Sequence, residues 1–284
     1  MIKQFLFPQT TGLLEEMKTL TVMYNEKQLK AELDLDSREK FIKYVESTPH
    51  YMDFVYTIAM LKEKQGILDV GAGVGYTSIY ASLKGHNVTA VEPSSDHINI
   101  MLKMATTLNV KLDIWQTIGE YMPVSTESKF NHIVFHSSLH HCDNPQVALK
   151  NAYGHLTNRG QVFLISEPVL QCFRSKKWYF DMLKNYPERM GHYGGNEHVY
   201  RVHEYEKMLY QAGFHNVCIT PSAMYQMEPH FRESLPKLHR FIKNSFYFTV
   251  KKLVFSKNFR PLTWLYLPLL KKGSMLQFKF SAQK

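Results

Sequence analysis

Ile67-Leu68-Asp69-Val70-Gly71-Ala72-Gly73-Val74-Gly75 decides the fold. A short apolar run carries an acidic residue, and three glycines follow at alternate positions. A second apolar run, Asn87-Val88-Thr89-Ala90-Val91, ends at Glu92 and Pro93. A buried strand, a glycine turn, a helix and a second strand tipped by a carboxylate form the first half of a doubly wound nucleotide-binding sheet. Glycine opens backbone conformations closed to other residues and removes the Cβ that would keep a ligand away. Glu92 can accept hydrogen bonds from two vicinal ribose hydroxyls. The expected ligand carries an adenosine.

The glycine spacing narrows that ligand. A dinucleotide turn reads G-x-G-x-x-G/A, with a small third residue where helix meets strand. Counted from Gly71 and Gly73, that residue is Tyr76, too bulky for a pyrophosphate turn. Asp69, Gly71, Gly73 and Gly75 instead give D-x-G-x-G-x-G. This resembles motif I of the class I S-adenosylmethionine-dependent methyltransferases.

The resemblance runs on. Leu112–Trp115 reads as a third strand, followed by Ile118 and Gly119, where the family often has an acidic residue for the adenine amine; Ile118 stands there instead. Phe130–His136, Ser137, Ser138, Leu139, His140 and His141 resemble the fourth strand and its frequent "LHH" segment. Gly160–Pro168 resembles the fifth. A helix over Tyr205–Gly213, a sixth strand over His215–Thr220 and an alternating seventh over Met275–Phe280 complete the pattern. The family implies a Rossmann-like, doubly wound α/β sheet of seven strands, mostly parallel, with the last antiparallel. It also implies S-adenosyl-L-methionine as cofactor. Asp69, Gly71, Ala72, Gly73 and Gly75 would hold its methionine end, Glu92 and Pro93 its ribose, and Ile118 and Gly119 its adenine, with His136 alongside.

Length and composition fit one large core with appendages: 284 residues, 44% hydrophobic and 21% charged. No apolar run reaches the roughly 20 residues that span a bilayer. The N-terminus lacks the features of a signal peptide. Cys142, Cys172 and Cys218 are too few and scattered for a disulfide framework. The expected location is the cytoplasm.

Four regions divide the chain: a helical N-terminal segment over 1–61, a methyltransferase core over 62–221, an insertion over 222–273 and a final strand over 274–284. The core has its own aromatic insertion, 169–203, with Phe173, Trp178, Tyr179, Phe180, Tyr186, Tyr193 and Tyr200. Insertions at these points lie over the carboxyl ends of the strands, where open α/β sheets bind ligands. Both are expected to form a lid around the methyl acceptor. From Leu235 onward there is no Asp or Glu and there are eleven Lys or Arg; with +9 overall, the remainder carries −2. Basic, aromatic and leucine-rich together, 237–272 suits a peripheral membrane contact or the grip on an anionic, partly apolar substrate. RNA is a weaker candidate.

Methyl transfer from a sulfonium is an in-line displacement governed by positioning. A hydroxyl acceptor also needs a base. The resemblance places His140 and His141 near the methyl group, and imidazole titrates in the useful range. Glu167, at the tip of the fifth strand, is a further candidate. The N/D-P-P-Y segment of many nucleobase-amine methyltransferases is absent. His136, His140, His141 and Cys142 make a poor zinc set, because near-consecutive ligands on one loop lack a second cluster. Arg201, His203 and Glu204 read as a helix start. No metal is expected. The acceptor expected is a hydroxyl on a small molecule, lipid or glycan intermediate. An RNA or protein methyltransferase recruited by the basic segment, and an inactive cofactor-binding partner subunit, stay open as alternatives.

Overall fold

The computed structural model describes residues 1–10, 13, 14, 17, 35–62, 64–123, 130–170, 174–184, 197–222 and 276–284. The basic insertion expected over 222–273 lies, beyond Ser222, outside the described residues, as do Phe173, Tyr186 and Tyr193.

Two helices, α1 (Arg38–Ser47) and α2 (Met52–Met60), precede the core. Ser37 caps α1 by accepting from the Lys40 N–H. Phe41, Val45, Phe54 and Ile58 are buried against the sheet, each worth roughly 1.5–3 kcal/mol. Strand and helix then alternate: β2 (Gly66–Val70), α3 (Tyr76–Leu83), β3 (Asn87–Val91), α4 (Ser95–Thr107), β4 (Asp113–Gln116), β5 (Phe130–His136), α5 (Pro145–His155) and β6 (Leu156–Val169). Helix α6 (Lys176–Lys184) lies in the aromatic insertion, and α7 (Val202–Gln211), β7 (His215–Pro221) and β8 (Leu276–Gln283) follow. Glu204 accepts from the Arg201 N–H at 2.7 Å, closing the first turn of α7.

With the short strand β1 (Ile2–Gln4) at one edge, one sheet takes the order β1-β4-β3-β2-β5-β6-β8-β7. It has eight strands where seven were expected. The extra one, β1 (Ile2–Gln4), pairs parallel with β4 through Ile2–Ile114 and Gln4–Gln116 and turns the start of the N-terminal segment into an edge strand. β8 runs antiparallel to both β6 and β7, as expected of the last strand. The apolar runs of β2 and β5 have helices on both faces, which is why they do not alternate. The strand order reverses between β2 and β5, and the crevice at their carboxyl ends is the expected ligand site. No helix among the described residues is long and apolar enough to cross a membrane.

Candidate active site

A cavity of about 460 Å³ opens over the carboxyl ends of β2 to β6, within the size range of small-molecule sites. Its floor is the glycine turn. Gly71, Gly73 and Gly75 all have positive φ, at 73°, 55° and 90°, a region costly for residues with a Cβ. Their surroundings differ. A Cβ on Gly71 would lie 2.5 Å from Ser138 Cβ, and one on Gly75 would lie 2.3 Å from Met101 Cγ. A Cβ on Gly73 would meet nothing within 4 Å, and Gly73 lines the cavity. Two of the glycines therefore serve packing, and the middle one leaves a cradle.

The turn's N–H groups are committed within the fold. Those of Gly71 and Ala72 donate to the Val91 carbonyl at 2.9 and 3.0 Å. That of Gly73 donates to Glu92 Oε2 at 2.8 Å. Glu92 Oε1 accepts from the Ser94 N–H at 3.0 Å and lies 3.2 Å from His97 Nδ1. The strand-tip carboxylate thus holds the turn in place while still lining the cavity. Its two oxygens retain lone pairs for further donors.

Asp69 does not line the cavity. It is buried behind the turn, and Oδ2 accepts from the Thr77 and Ser78 hydroxyls at 2.6 Å each. Its Oδ1 is sealed from solvent without a hydrogen-bond partner. Burial pushes the carboxyl up, against the two hydroxyl bonds. Asp69 thus fixes the first turn of α3, a correction to its expected place on the ligand. Gly75 also stays behind the cavity wall.

Pro93, Ile118 and Gly119 line the side of the cavity beyond Glu92. Asn151 Nδ2 donates to the Gly119 and Glu120 carbonyls at 3.3 and 2.7 Å, fixing this loop to α5. Glu120, two residues after Ile118, also lines the cavity. Burial pushes its carboxyl up, and Oε1 accepts from the Asn144 N–H. An acidic side chain is thus present here, displaced from the expected position.

The opposite wall is aromatic. His136 ends β5, and its Nε2 donates to the His50 carbonyl at 3.1 Å. Its ring stacks on Tyr51 at 5.4 Å and meets the His50 ring edge-on at 4.5 Å. Tyr76 lies 5.8 Å from both Tyr51 and Phe41. The residue that argued against a dinucleotide turn is thus a packing partner of α1. Burial holds His50 down to about 4 and His136 further down.

Beyond β5, the chain turns through Ser138, whose hydroxyl donates to the Val70 carbonyl at 2.6 Å. His140 and His141 follow, both lining the cavity. His140 Nδ1 lies 2.7 Å from Glu167 Oε2. Glu167 also accepts the N–H groups of Ser138, Leu139 and His140 at 3.0–3.2 Å. It is wholly buried and does not reach the cavity. This corrects its expected place beside the acceptor: it is a positioning residue, holding the loop and the His140 ring. Glu197, from the aromatic insertion, comes within 3.7 Å of His140 Nε2 and 3.5 Å of His141 Nδ1. Its Oε1 accepts from the Tyr179 hydroxyl at 3.1 Å. Sequence reading missed Glu197, which stands in no recognisable pattern.

Fold and cavity together place an open glycine cradle at the switch point of a doubly wound α/β sheet. A family model described as a methyltransferase domain matches residues 44–219, more than half of the chain. The chain belongs to this methyltransferase-domain family, and its fold is that of solved methyltransferases. An uncharacterized methyltransferase of Staphylococcus carnosus is 24% identical over 139 residues, covering 48% of this chain and 61% of that one; the match thus spans less than two thirds of the relative. Among solved structures, phosphoethanolamine N-methyltransferase 2 of Haemonchus contortus, in complex with S-adenosyl-L-methionine, is 17% identical. It aligns over 86% of this chain and 56% of its own with a TM-score of 0.51. The cyclopropane synthase MmaA2 of Mycobacterium tuberculosis is 13% identical over 82% of this chain and 83% of its own, at 0.54. At these identities the likeness concerns the fold.

The residues present fit S-adenosylmethionine. The cradle at Gly73 is open, Glu92 directly follows β3 and lines the cavity, and the cavity volume lies in the range of small-molecule sites.

Proposed function

We propose that this enzyme transfers the methyl group to a hydroxyl of a small-molecule, lipid or glycan intermediate. Bound, S-adenosylmethionine supplies an electrophilic methyl on a sulfonium. Gly71, Ala72 and Gly73 would pass beneath its methionine end, Glu92 would take the ribose hydroxyls, and Pro93, Ile118 and Gly119 would flank the adenine. His136, held neutral and fixed by the His50 carbonyl, would pack as a rigid wall. Asp69 would act indirectly, by holding α3.

The observation that carries the reading is the 2.7 Å pairing of His140 Nδ1 with Glu167. The Glu167 carboxylate on Nδ1 sets the orientation of the His140 ring, and His140 lines the cavity. A hydroxyl must lose its proton as it attacks, and a side chain at this end of the cavity would take it. A histidine oriented in this way, with Glu197 and His141 beside it, suits an oxygen acceptor.

Incubating the protein with methyl-labelled cofactor and extract of the source organism tests this. Label in a fraction resistant to ribonuclease and protease supports the reading. Label travelling with RNA or protein overturns it in favour of the basic-segment alternatives. Cofactor binding without transfer, accompanied by a copurifying active partner, overturns it in favour of the partner-subunit alternative.

A further inference from the structure

The cluster beside the cavity holds more than a base needs. His140 Nε2, His141 Nδ1 and Glu197 Oε2 converge from two distant parts of the chain, and one donor atom from each residue lies within 4.8 Å of the others. The 3.7 and 3.5 Å separations are too long for good hydrogen bonds. They are close to the edge of a tetrahedron with metal–ligand bonds of 2.0–2.1 Å, about 3.4 Å. Glu197 Oε2 is sealed from solvent and has no hydrogen-bond partner, a costly state for a carboxylate oxygen.

The supporting shell is also in place. A ligating histidine normally donates its other ring N–H to a carboxylate, which sets tautomer and ring orientation. Glu167 does this for His140 at 2.7 Å, and is itself held by three backbone N–H groups. The Tyr179 hydroxyl fixes the other oxygen of Glu197. The objection that consecutive histidines lack a second cluster is met by Glu197, 56 residues beyond His141 in the sequence.

We propose that His140 Nε2, His141 Nδ1 and Glu197 Oε2 form a three-ligand site for a divalent cation of the zinc class, with its fourth position turned toward the cavity. Two imidazoles and one carboxylate are a ligand set that zinc takes with one position open. All three residues line the cavity, so the open position can take the acceptor oxygen. There the cation lowers the pKa of the hydroxyl, and the proton leaves to water. The oxygen then forms the new O–C bond, the C–S bond breaks and its electron pair stays on sulfur, leaving a neutral thioether. This acceptor role rests on the methyl-transfer reading and makes His140 a ligand in place of a base; cation binding does not rest on it.

The full-length protein, stripped with a chelator, would be titrated with zinc by calorimetry, and with cobalt(II) while following its visible absorption. One equivalent of each is expected, with the cobalt band of a four-coordinate site. Glu197→Gln and His141→Asn should weaken binding at least tenfold, leave S-adenosylmethionine binding unchanged, and remove the rise in Tm that zinc gives the wild type. Glu167→Gln, acting through His140, should weaken it by roughly tenfold. A stripped wild type that takes up neither metal, yet binds the cofactor and transfers methyl, overturns the cation site and leaves the methyl-transfer reading standing. Stoichiometric metal binding with undiminished transfer by the stripped protein overturns the acceptor role alone. Metal binding without any methyl transfer sinks the methyl-transfer reading while the site survives.

Discussion

Glu167 and His140 meet at 2.7 Å inside the protein, and the same carboxylate collects the N–H groups of Ser138, Leu139 and His140. One side chain on β6 therefore shapes the loop after β5 and aims the imidazole that follows it. Replacing it by alanine strands several buried donors, at about 1–3 kcal/mol for each that finds no new partner. Glu167→Ala should lower stability by about 3–5 kcal/mol, seen as a fall in Tm of roughly 10 °C. A Tm within about 2 °C of wild type would contradict this structural role.

Glu92 bridges the glycine turn and the start of α4 through Gly73 and Ser94. Charge-assisted hydrogen bonds contribute about 1.5–3 kcal/mol each. Glu92→Ala should weaken S-adenosylmethionine binding by about 10- to 100-fold in calorimetry, and Glu92→Gln by less. Equal affinity in wild type and Glu92→Ala would remove Glu92 from the ribose site.

The glycines separate packing from binding. Gly75→Ala combines a positive φ with a 2.3 Å approach to Met101 and should cost about 2–5 kcal/mol of stability. Gly73→Ala meets no neighbour and should cost only about 1–2 kcal/mol. Its methyl group occupies the cradle, however, so cofactor affinity should fall at least tenfold. Thermal unfolding and cofactor titration of both variants give the comparison, and the reverse ranking would refute the assignment.

Acid should destabilise this protein through histidines buried as neutral rings. His132, packed on Phe163 at 5.7 Å and away from the cavity, is held down to about 4 by burial, with His86 adding to the shift. A folded pKa below the unfolded value of 6.5 means that the unfolded chain binds more protons as pH falls. The stability is complete above about pH 6.5 and is lost between there and about pH 4. His132→Phe should flatten the dependence of Tm on pH across that window and leave cofactor binding intact. An unchanged slope would contradict the neutral buried state.

The glycine turn and strand tips were legible because each depends on local chemistry: apolar runs for buried strands, glycine for positive φ, a carboxylate at a carboxyl end. Tyr76 was informative for a reason visible only in three dimensions, its packing on Phe41 and Tyr51. β1 was not legible, since three residues carry no periodicity and gain their pairing only from the exposed edge of β4. The division of labour between Asp69 and Glu92 was hidden as well. Both stand near strand ends, and only the burial of Asp69 against Thr77 and Ser78 shows that it braces a helix. Glu197 was the largest omission, brought to His140 by the path of an insertion without a repeating pattern.

Methyl transfer to oxygen at the His140 end of the cavity can be read from carbon-13-methyl S-adenosylmethionine incubated with source-organism extract, by the chemical shift of the new methyl carbon. An oxygen-bound methyl is expected, absent when His140→Asn replaces the wild type. A methyl bound to nitrogen or sulfur, or an oxygen-bound methyl formed equally well by the variant, would contradict it.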